Sequence, residues 1–472
     1  MLCLASLQNR SQNAHRKAPR KPCRSGGLTP KSAVASRIPP SSPLFLLELC
    51  VFSAGRYRFV LVSPMDLLPT YHVVEHLVLA ALTARVLSGL LCQPRLRSSV
   101  PSTDPGQGRS PLLSILIPAR NEAANIGRCV QSLSAQDHPS LEIIVLDDQS
   151  TDDTADIVRR LQEKDRRITL LSGQDLPSGW VGKNWACHQL SLAAKGEWLL
   201  FTDADTWHEP SHARRLLAAA THHRADLISS WPEQIMESLA EKAVVSLLPF
   251  VGTVGYPHAL IRALHRLPLA LKSRIPRSVA RLLGAANGQV LMMSRSAYDR
   301  IGGHEHVHNH LVEDIALGRA VAERMGEGMW WVNVDGRPFV RCRMYRDFKG
   351  VWEGFSKNIR AAFENHALAF LLSGVAQIAF LLIPFGLVAW SLCLGRLEPM
   401  AVRECLWILA LRTVVAAFAG GSWLSAIAHP LSWSLALLIG INSGLRSAFG
   451  QVTWKGRRYV HDPEAGTKKT PR

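Results

Sequence analysis

Short continuous apolar runs alternate with amphipathic stretches through the middle of the chain. The runs Ser114-Ile-Leu-Ile117, Ile143-Ile-Val-Leu146 and Trp198-Leu-Leu-Phe201 do not alternate with polar residues, which predicts parallel strands covered on both faces. Ile126, Val130 and Leu133 recur at helical spacing between them, as do Ile157, Val158 and Leu161 behind the capping candidates Thr151 and Asp152. Strand and helix in alternation predict an α/β domain with a mostly parallel sheet.

The flanks read differently. Met65 leads into Tyr71–Cys92, long enough to span a bilayer but carrying Glu75 and Arg85, so a membrane anchor with snorkelling or paired charges is expected rather than an amphipathic surface helix. Past Arg346, the residues Phe348, Val351, Trp352, Phe355, Ile359 and Phe363 share a helical stripe with Lys349, Lys357 and Arg360 among the polar positions, a pattern suited to the membrane interface. Ala367–Gly395 then holds no Asp, Glu, Lys or Arg, which predicts a transmembrane helix. Leu406–Ala428 and Leu431–Leu445 form a second apolar block interrupted by Arg412 and Pro430. The expected organisation is a basic, disordered tail over 1–64, an anchor over 65–95, a Pro/Ser/Gly linker over 96–110, the α/β domain over 111–345, an interfacial helix over 346–366, transmembrane segments over 367–449 and a basic cytoplasmic tail over 450–472. Basic residues flank both ends of the C-terminal block, so both ends should be cytoplasmic, which requires an even number of spans there.

Composition narrows the partners. At 47% hydrophobic residues the 472-residue chain is not a disordered polypeptide. Of the formal net charge of +17, much sits in residues 1–64, which hold ten Lys/Arg and one acid, Glu48. Residues 1–47, with eight Lys/Arg and no acid, have the make-up of a transit peptide, a solvated basic tail or an overlong start. No Lys/Arg stripe interleaves with aromatics elsewhere, so the basic excess points to anionic lipid and not to nucleic acid. Nine scattered cysteines without a CxxC pair suggest neither a zinc site nor a disulfide framework.

The acids carry the chemistry. The second strand ends in Asp147-Asp148-Gln-Ser-Thr-Asp-Asp153, placing carboxylates where α/β sheets bind nucleotides, able to accept from a ribose hydroxyl or a base N–H. The third ends in Asp203-Ala-Asp205, a pair suited to Mg2+ or Mn2+ completed by substrate phosphates. Between them Gly179-Trp-Val-Gly-Lys183 brackets a turn that offers one lysine to a phosphate. Glu313-Asp314 opens a helix; Asp314 is a candidate general base, and a helix N-terminus favours its ionised state. The alternating His304, His306, His308 and His310 lack matching ligands and follow Gly302-Gly303, so they read as a mobile loop and not a zinc site.

In order, Ile117-Pro-Ala-Arg-Asn-Glu122, Val145-Leu-Asp-Asp-Gln-Ser-Thr-Asp152, Gly179 to Lys183, Asp203-Ala-Asp205, Ala286-Asn-Gly-Gln to Gly303 and Glu313-Asp314 resemble a family 2 glycosyltransferase of GT-A fold over residues 111–345. The resemblance implies an inverting transferase using a nucleotide-diphosphate sugar, a UDP-sugar foremost. Carried over, Pro118, Glu122, Asp147 and Asp148 line the nucleoside, Lys183 and Asp203 the diphosphate side, Asp203 and Asp205 the divalent cation, and Asp314 is the base. Arg341-Cys-Arg-Met-Tyr-Arg346, Gly354-Phe-Ser-Lys-Asn358 and Trp454-Lys-Gly-Arg457 look like the membrane-bound branch that glycosylates carotenoids and related isoprenoid lipids. Processive polysaccharide synthases carry QxxRW on the helix before their membrane segments; Trp352-Glu-Gly-Phe-Ser-Lys stands here instead. The expectation is a multi-pass protein of the inner membrane, its catalytic domain cytoplasmic, moving a hexose to a membrane lipid. Transfer to polyprenyl phosphate, or silent binding of nucleotide-sugar or lipid, are the alternatives.

Overall fold

The apolar runs become strands of one seven-stranded sheet. In the computed structural model, which describes residues 47–53, 56–62, 64–96, 110–364, 366–450, 452–454 and 457–459, these are β1 (Leu113–Ala119), β2 (Leu141–Asp147), β3 (Ile168–Ser172), β4 (Trp198–Thr202), β5 (Leu227–Trp231), β6 (Val290–Ser294) and β7 (Trp331–Asp335). Their order across the sheet is β7-β5-β6-β4-β1-β2-β3. Only β6 runs antiparallel to its neighbours, β4 and β5. Parallel strands need cover on both faces, and Ile115, Leu116, Ile117, Ile143, Val145, Leu199 and Leu200 are all buried. Helices α1 (Ile126–Ser134) and α2 (Thr154–Gln162) contribute Ile126, Val130, Leu133 and Val158 to that cover. Two further helices, α3 (Gly182–Ala193) and α4 (Glu313–Ala322), start beside the carboxyl ends of the strands. This is an α/β, GT-A-like arrangement with a mostly parallel sheet.

Thr151 and Asp152 do not cap α2 as their types suggest. Asp153 stands at the N-cap without a side-chain bond to the helix. Asp152 accepts from the amides of Ala123 (3.0 Å) and Thr154 (3.1 Å), and the Thr151 amide donates to Asn121 Oδ1 (2.8 Å). These bonds fasten the loop after β2 to the loop after β1, so the two strand exits are positioned together.

The chain divides into two units, Met1–Val74 and Glu75–Arg472. In the first, part of the stretch expected as a disordered tail is paired: Leu47–Ser53 and Arg56–Val62 run antiparallel, from Leu47↔Val62 to Ser53↔Arg56. Aromatic and β-branched residues there favour a ladder that charge counting conceals. The rest of that tail at 1–46, the linker at 97–109 and the C-terminal tail at 460–472 lie outside the described residues.

Helix Pro64–Cys92 includes a segment, Leu67–Cys92, long and apolar enough to cross a membrane. Its charges do not snorkel: Glu75 is fully buried, and Arg85 donates to the carbonyls of Val254 and Gly255, both at 2.8 Å. Those carbonyls end the helix Leu248–Gly255, where a cation is favoured. The uninterrupted span expected over Ala367–Gly395 is instead two helices, Ala367–Leu381 and Ile383–Cys393, meeting at 41°. Pro384 lacks the N–H that would continue the first helix, and its ring crowds the preceding turn. The second block folds as Pro399–Ala419, Trp423–Ile427 and His429–Ala448. Among the described residues one helix meets the length and apolarity of a span, and up to three do if Leu239–Gly255 with His258–His265, and Ala367–Leu381 with Ile383–Cys393, each count as one bent span. The stripe expected at the membrane interface, on α5 (Phe348–Ala361), is partly turned inward: Val351 and Phe355 pack with Val244, Tyr345 and Ile439, while Phe348 stays exposed.

Replacing Arg85 with Met should lower the thermal unfolding midpoint of the detergent-solubilised protein, with a loss of about 1.5–3 kcal/mol for hydrogen bonds made by a charged group. An unchanged midpoint would show that the two carbonyls do not depend on the guanidinium.

Candidate active site

The carboxyl ends of the central strands open on a cavity of about 550 Å³, the position at which open α/β sheets bind ligands. Pro118, Glu122, Asp148, Lys183, Asp203, Asp205 and Asp314 all line it. Asp147 does not. Successive side chains of an extended strand point to opposite sides, so two adjacent acids at a strand end do not both face the cavity. Asp148 is buried at its wall, with its amide donating to the Ala119 carbonyl at 2.7 Å. The Asp147 carboxylate instead accepts from the Ser150 amide at 3.3 Å, closing the turn.

Lys183 lies in the first turn of α3, whose approach turns sharply at Gly179, with φ +82°. Its Nζ stands 2.7 Å from Asp203 Oδ1 and 2.8 Å from Glu313 Oε1. Burial works against the ammonium, but the two carboxylates outweigh it and hold the lysine well above its ordinary pKa. Burial likewise opposes the Glu313 charge, and Lys183 overcomes it, keeping Glu313 below its usual value. One side chain thereby ties the exit of β4 to the start of α4. The sequence offered Lys183 as a phosphate ligand and left Glu313 without a role; the structure makes Glu313 its counter-ion.

Asp314 follows on the same helical turn. Its Oδ2 accepts from the Gly288 amide at 2.6 Å and its Oδ1 from the Ile315 amide at 2.8 Å. A Cβ on residue 288 would stand 3.0 Å from Oδ2, so glycine is what lets the β6 approach come this close. The helix N-terminus does not leave Asp314 ionised at its ordinary pKa, contrary to the simple dipole argument. Burial, and then the adjacent Glu313 charge, push it up to about 6, against Lys183 and the two amides. A carboxylate poised there is matched to taking a proton near neutral pH.

Beneath the paired acids is a polar buttress that sequence reading missed. Thr202 Oγ1 donates to the Gln289 carbonyl (2.9 Å), Thr206 Oγ1 to the Asp203 carbonyl (2.8 Å), and the two hydroxyls meet at 2.8 Å. His208 and His212, buried with Nδ1 atoms 2.9 Å apart, continue the chain of bonds, and burial holds His212 down at about 3, hence neutral. The Asp203–Asp205 turn is therefore fixed from below. As a donor set, two carboxylates on one cavity wall fit a hard divalent cation that takes its remaining ligands from phosphate and water. Among the described residues no group of three or more His, Cys, Asp or Glu gathers as a cage that would hold a metal without such help.

Lys357 also lines the cavity, on the side of α5 opposite its apolar stripe. Burial, opposed by the charges of Glu313 and Asp203, brings its pKa down to about 8. Its sequence signals were a basic residue half a helical turn away from Phe355 and Phe348 and a place in the Gly354-Phe-Ser-Lys-Asn358 motif, neither of which gave it a role. The histidine segment is packed, and not the mobile loop its glycines suggest. Asn184 Nδ2 donates to the carbonyls of Val307 (2.7 Å), His308 (3.2 Å) and His310 (2.9 Å). His304 is a buried core residue bonded to Tyr298 Oη at 2.9 Å, and burial lowers it to about 3.

A mostly parallel sheet that delivers a two-acid strand exit, a lysine and a helix-borne carboxylate to one cavity defines a GT-A-like transferase. Residues 114–302 match the model of glycosyl transferase family 2. It is similar to the 4,4'-diaponeurosporenoate glycosyltransferase of Staphylococcus aureus strain USA300, 28% identical over 363 residues that cover 74% of this chain and 88% of that protein. The protein of the same name from strain MRSA252 is 26% identical over 359 residues, with the same coverage. Among solved structures, mannosyltransferase PcManGT from Pyrobaculum calidifontis in complex with GDP-Man and Mn2+ aligns with 16% identity and a TM-score of 0.48, covering 81% of this chain and 99% of that one.

Two opposite limbs should bound the pH profile of kcat/KM. Asp314 accepts a proton only when ionised, so turnover should rise as pH passes about 6, a limb belonging jointly to the Glu313–Asp314 pair. Lys357 offers charge only when protonated, so turnover should fall above about 8. Lys357→Arg, charged throughout, should remove the alkaline limb and leave the acid limb in place. An alkaline limb that persists in that variant would exclude Lys357 as its source.

Proposed function

We propose that the chain is an inverting, metal-dependent hexosyltransferase that moves sugar from a nucleotide-diphosphate donor, such as a UDP-sugar, to the hydroxyl or carboxyl of a membrane isoprenoid lipid such as a carotenoid. The observation that carries this reading is the meeting of Asp203, Asp205, Lys183 and Asp314 on one cavity whose farther wall is apolar helix. The names of the staphylococcal relatives support the carotenoid class of acceptor.

The donor nucleoside lies against Pro118, Glu122 and Asp148, with its diphosphate towards Lys183. Asp147 acts from outside the cavity by shaping the turn that carries Asp148. Asp203 and Asp205 would hold a Mg2+ or Mn2+ ion, which when bound neutralises charge on the diphosphate. The acceptor oxygen attacks the anomeric carbon, a new carbon–oxygen bond forms with inversion, and the bond to the diphosphate breaks. The hydroxyl proton passes to Asp314, whose two backbone bonds hold it in place. Lys183 and Lys357 face the negative charge that leaves. Excluding water from this buried corner favours transfer over hydrolysis.

The outer surface supports a membrane location. Leu87, Leu91, Leu371, Val375 and Trp390 are each more than half exposed on apolar helices, and a bilayer is the solvent that suits them. We place the protein as multi-pass in the inner membrane, with the catalytic domain on the cytoplasmic side where nucleotide-sugars are made.

Membranes containing the protein should move label from a nucleotide-sugar into the organic phase. Asp314→Asn should reduce this by about 10²–10⁴-fold, the range for loss of a general base, and Asp205→Ala should abolish it. Normal turnover by both variants would contradict the mechanism. Normal turnover by Asp314→Asn alone would point to an acceptor that is already ionised, a carboxylate or polyprenyl phosphate, which brings no proton to remove.

A further inference from the structure

The cavity extends beyond the carboxylates. Its farther wall is Trp231, at the carboxyl end of β5, together with Leu248, Pro249, Gly252 and Thr253 on the helix Leu248–Gly255. Positions 248, 249, 252 and 253 fall on one side of that helix. Val251 points the other way and is 52% exposed, and Leu260 on the next helix is 49% exposed. A single apolar helix therefore has one side in the catalytic cavity, Phe250 packed among the apolar helices and Val251 exposed. With its neighbours it forms the segment Leu239–Gly255 plus His258–His265, apolar and long enough together to cross a membrane, bent by 45° at residues 256–257. Gly252 sits directly against Trp231: a Cβ there would lie 2.9 Å from the ring carbon Cη2. A larger residue there would have to displace the ring or the helix.

We infer that this wall, Trp231 with Leu248, Gly252 and Thr253, seats the hydrocarbon chain of the acceptor. The inference rests on the lipid-acceptor reading and locates it. An isoprenoid chain lies along the inner face of the bent helix, with its hydroxyl end towards Asp314 in the same cavity. Val251 and Leu260, exposed on the same bent segment, meet the bilayer from which that chain comes. Acceptor choice is then set by the wall that the Trp231 ring, lying directly against Gly252, forms with Leu248. Chain length matters as far as the wall reaches, because each buried methylene adds binding.

The test uses the full chain in nanodiscs with a diazirine-bearing prenyl alcohol as probe. Photolabel should map to peptides containing Leu248–Thr253 and Trp231, and unlabelled prenyl alcohol should compete. Gly252→Leu and Leu248→Trp should each lower that labelling about tenfold, the factor expected for loss of a well-packed hydrocarbon contact, while donor affinity stays at the wild-type value and so reports an intact nucleotide site. Sugar transfer to a series of prenyl alcohols should rise with chain length in the wild type and lose that dependence in both variants. Labelling confined to other helices, or an unchanged length dependence in the variants, would overturn the inference and leave the transferase reading standing. Labelling at this wall without transfer to any prenyl alcohol would support the lipid seat and overturn the acceptor reading instead.

Discussion

The ion pairs of Lys183 with Asp203 and Glu313 are the interaction on which the site's geometry depends. A half-buried ammonium between two carboxylates joins the exit of a central strand, the start of the helix after the glycine turn and the start of the helix that bears Asp314. Removing the cation would leave two acids close together in a poorly solvated corner, and their repulsion would act on the helix that positions the base. The same contact has a second consequence. In the proposed reaction a diphosphate that approaches Lys183 would compete with Asp203 and Glu313 for it.

The second organising constraint is the junction between the soluble-looking sheet and the apolar helices. The sheet's carboxyl edge supplies Trp231, and the bent segment after it supplies Leu248 and Gly252. Arg85 bonds that segment, at its bend, to the long N-terminal helix. Packing of Leu79, Val86, Phe250, Ile408 and Trp433 into one cluster makes the helices a fixed platform under the cavity. Chemistry that needs a polar donor and an apolar acceptor in one place is served by that join.

Much of this was legible in the sequence. Continuous apolar runs gave the parallel strands, because residues covered on both faces cannot alternate, and acids at strand ends located the cavity because loops at that edge converge. Three kinds of feature were not legible. Asp147 and Asp148 are indistinguishable by type, and only the alternation of side chains at the strand end separates the turn-former from the cavity residue. Glu313 and Lys357 belong to different helices from their partners, so no spacing could pair them with Lys183 or bring them to one cavity. The apolar helices either side of Leu382 read as one simple span, and their bend at Pro384 is not recorded by hydropathy.

The central claim is a single displacement at the anomeric carbon, with Asp314 activating the acceptor. The most direct measurement is the anomeric configuration of the lipid glycoside formed by the wild-type protein from an α-linked nucleotide-sugar, read by proton NMR on the extracted product. The account predicts a β-linked sugar throughout. An α-linked product would mean two displacements or a different path at the sugar, and would contradict the role given to Asp314.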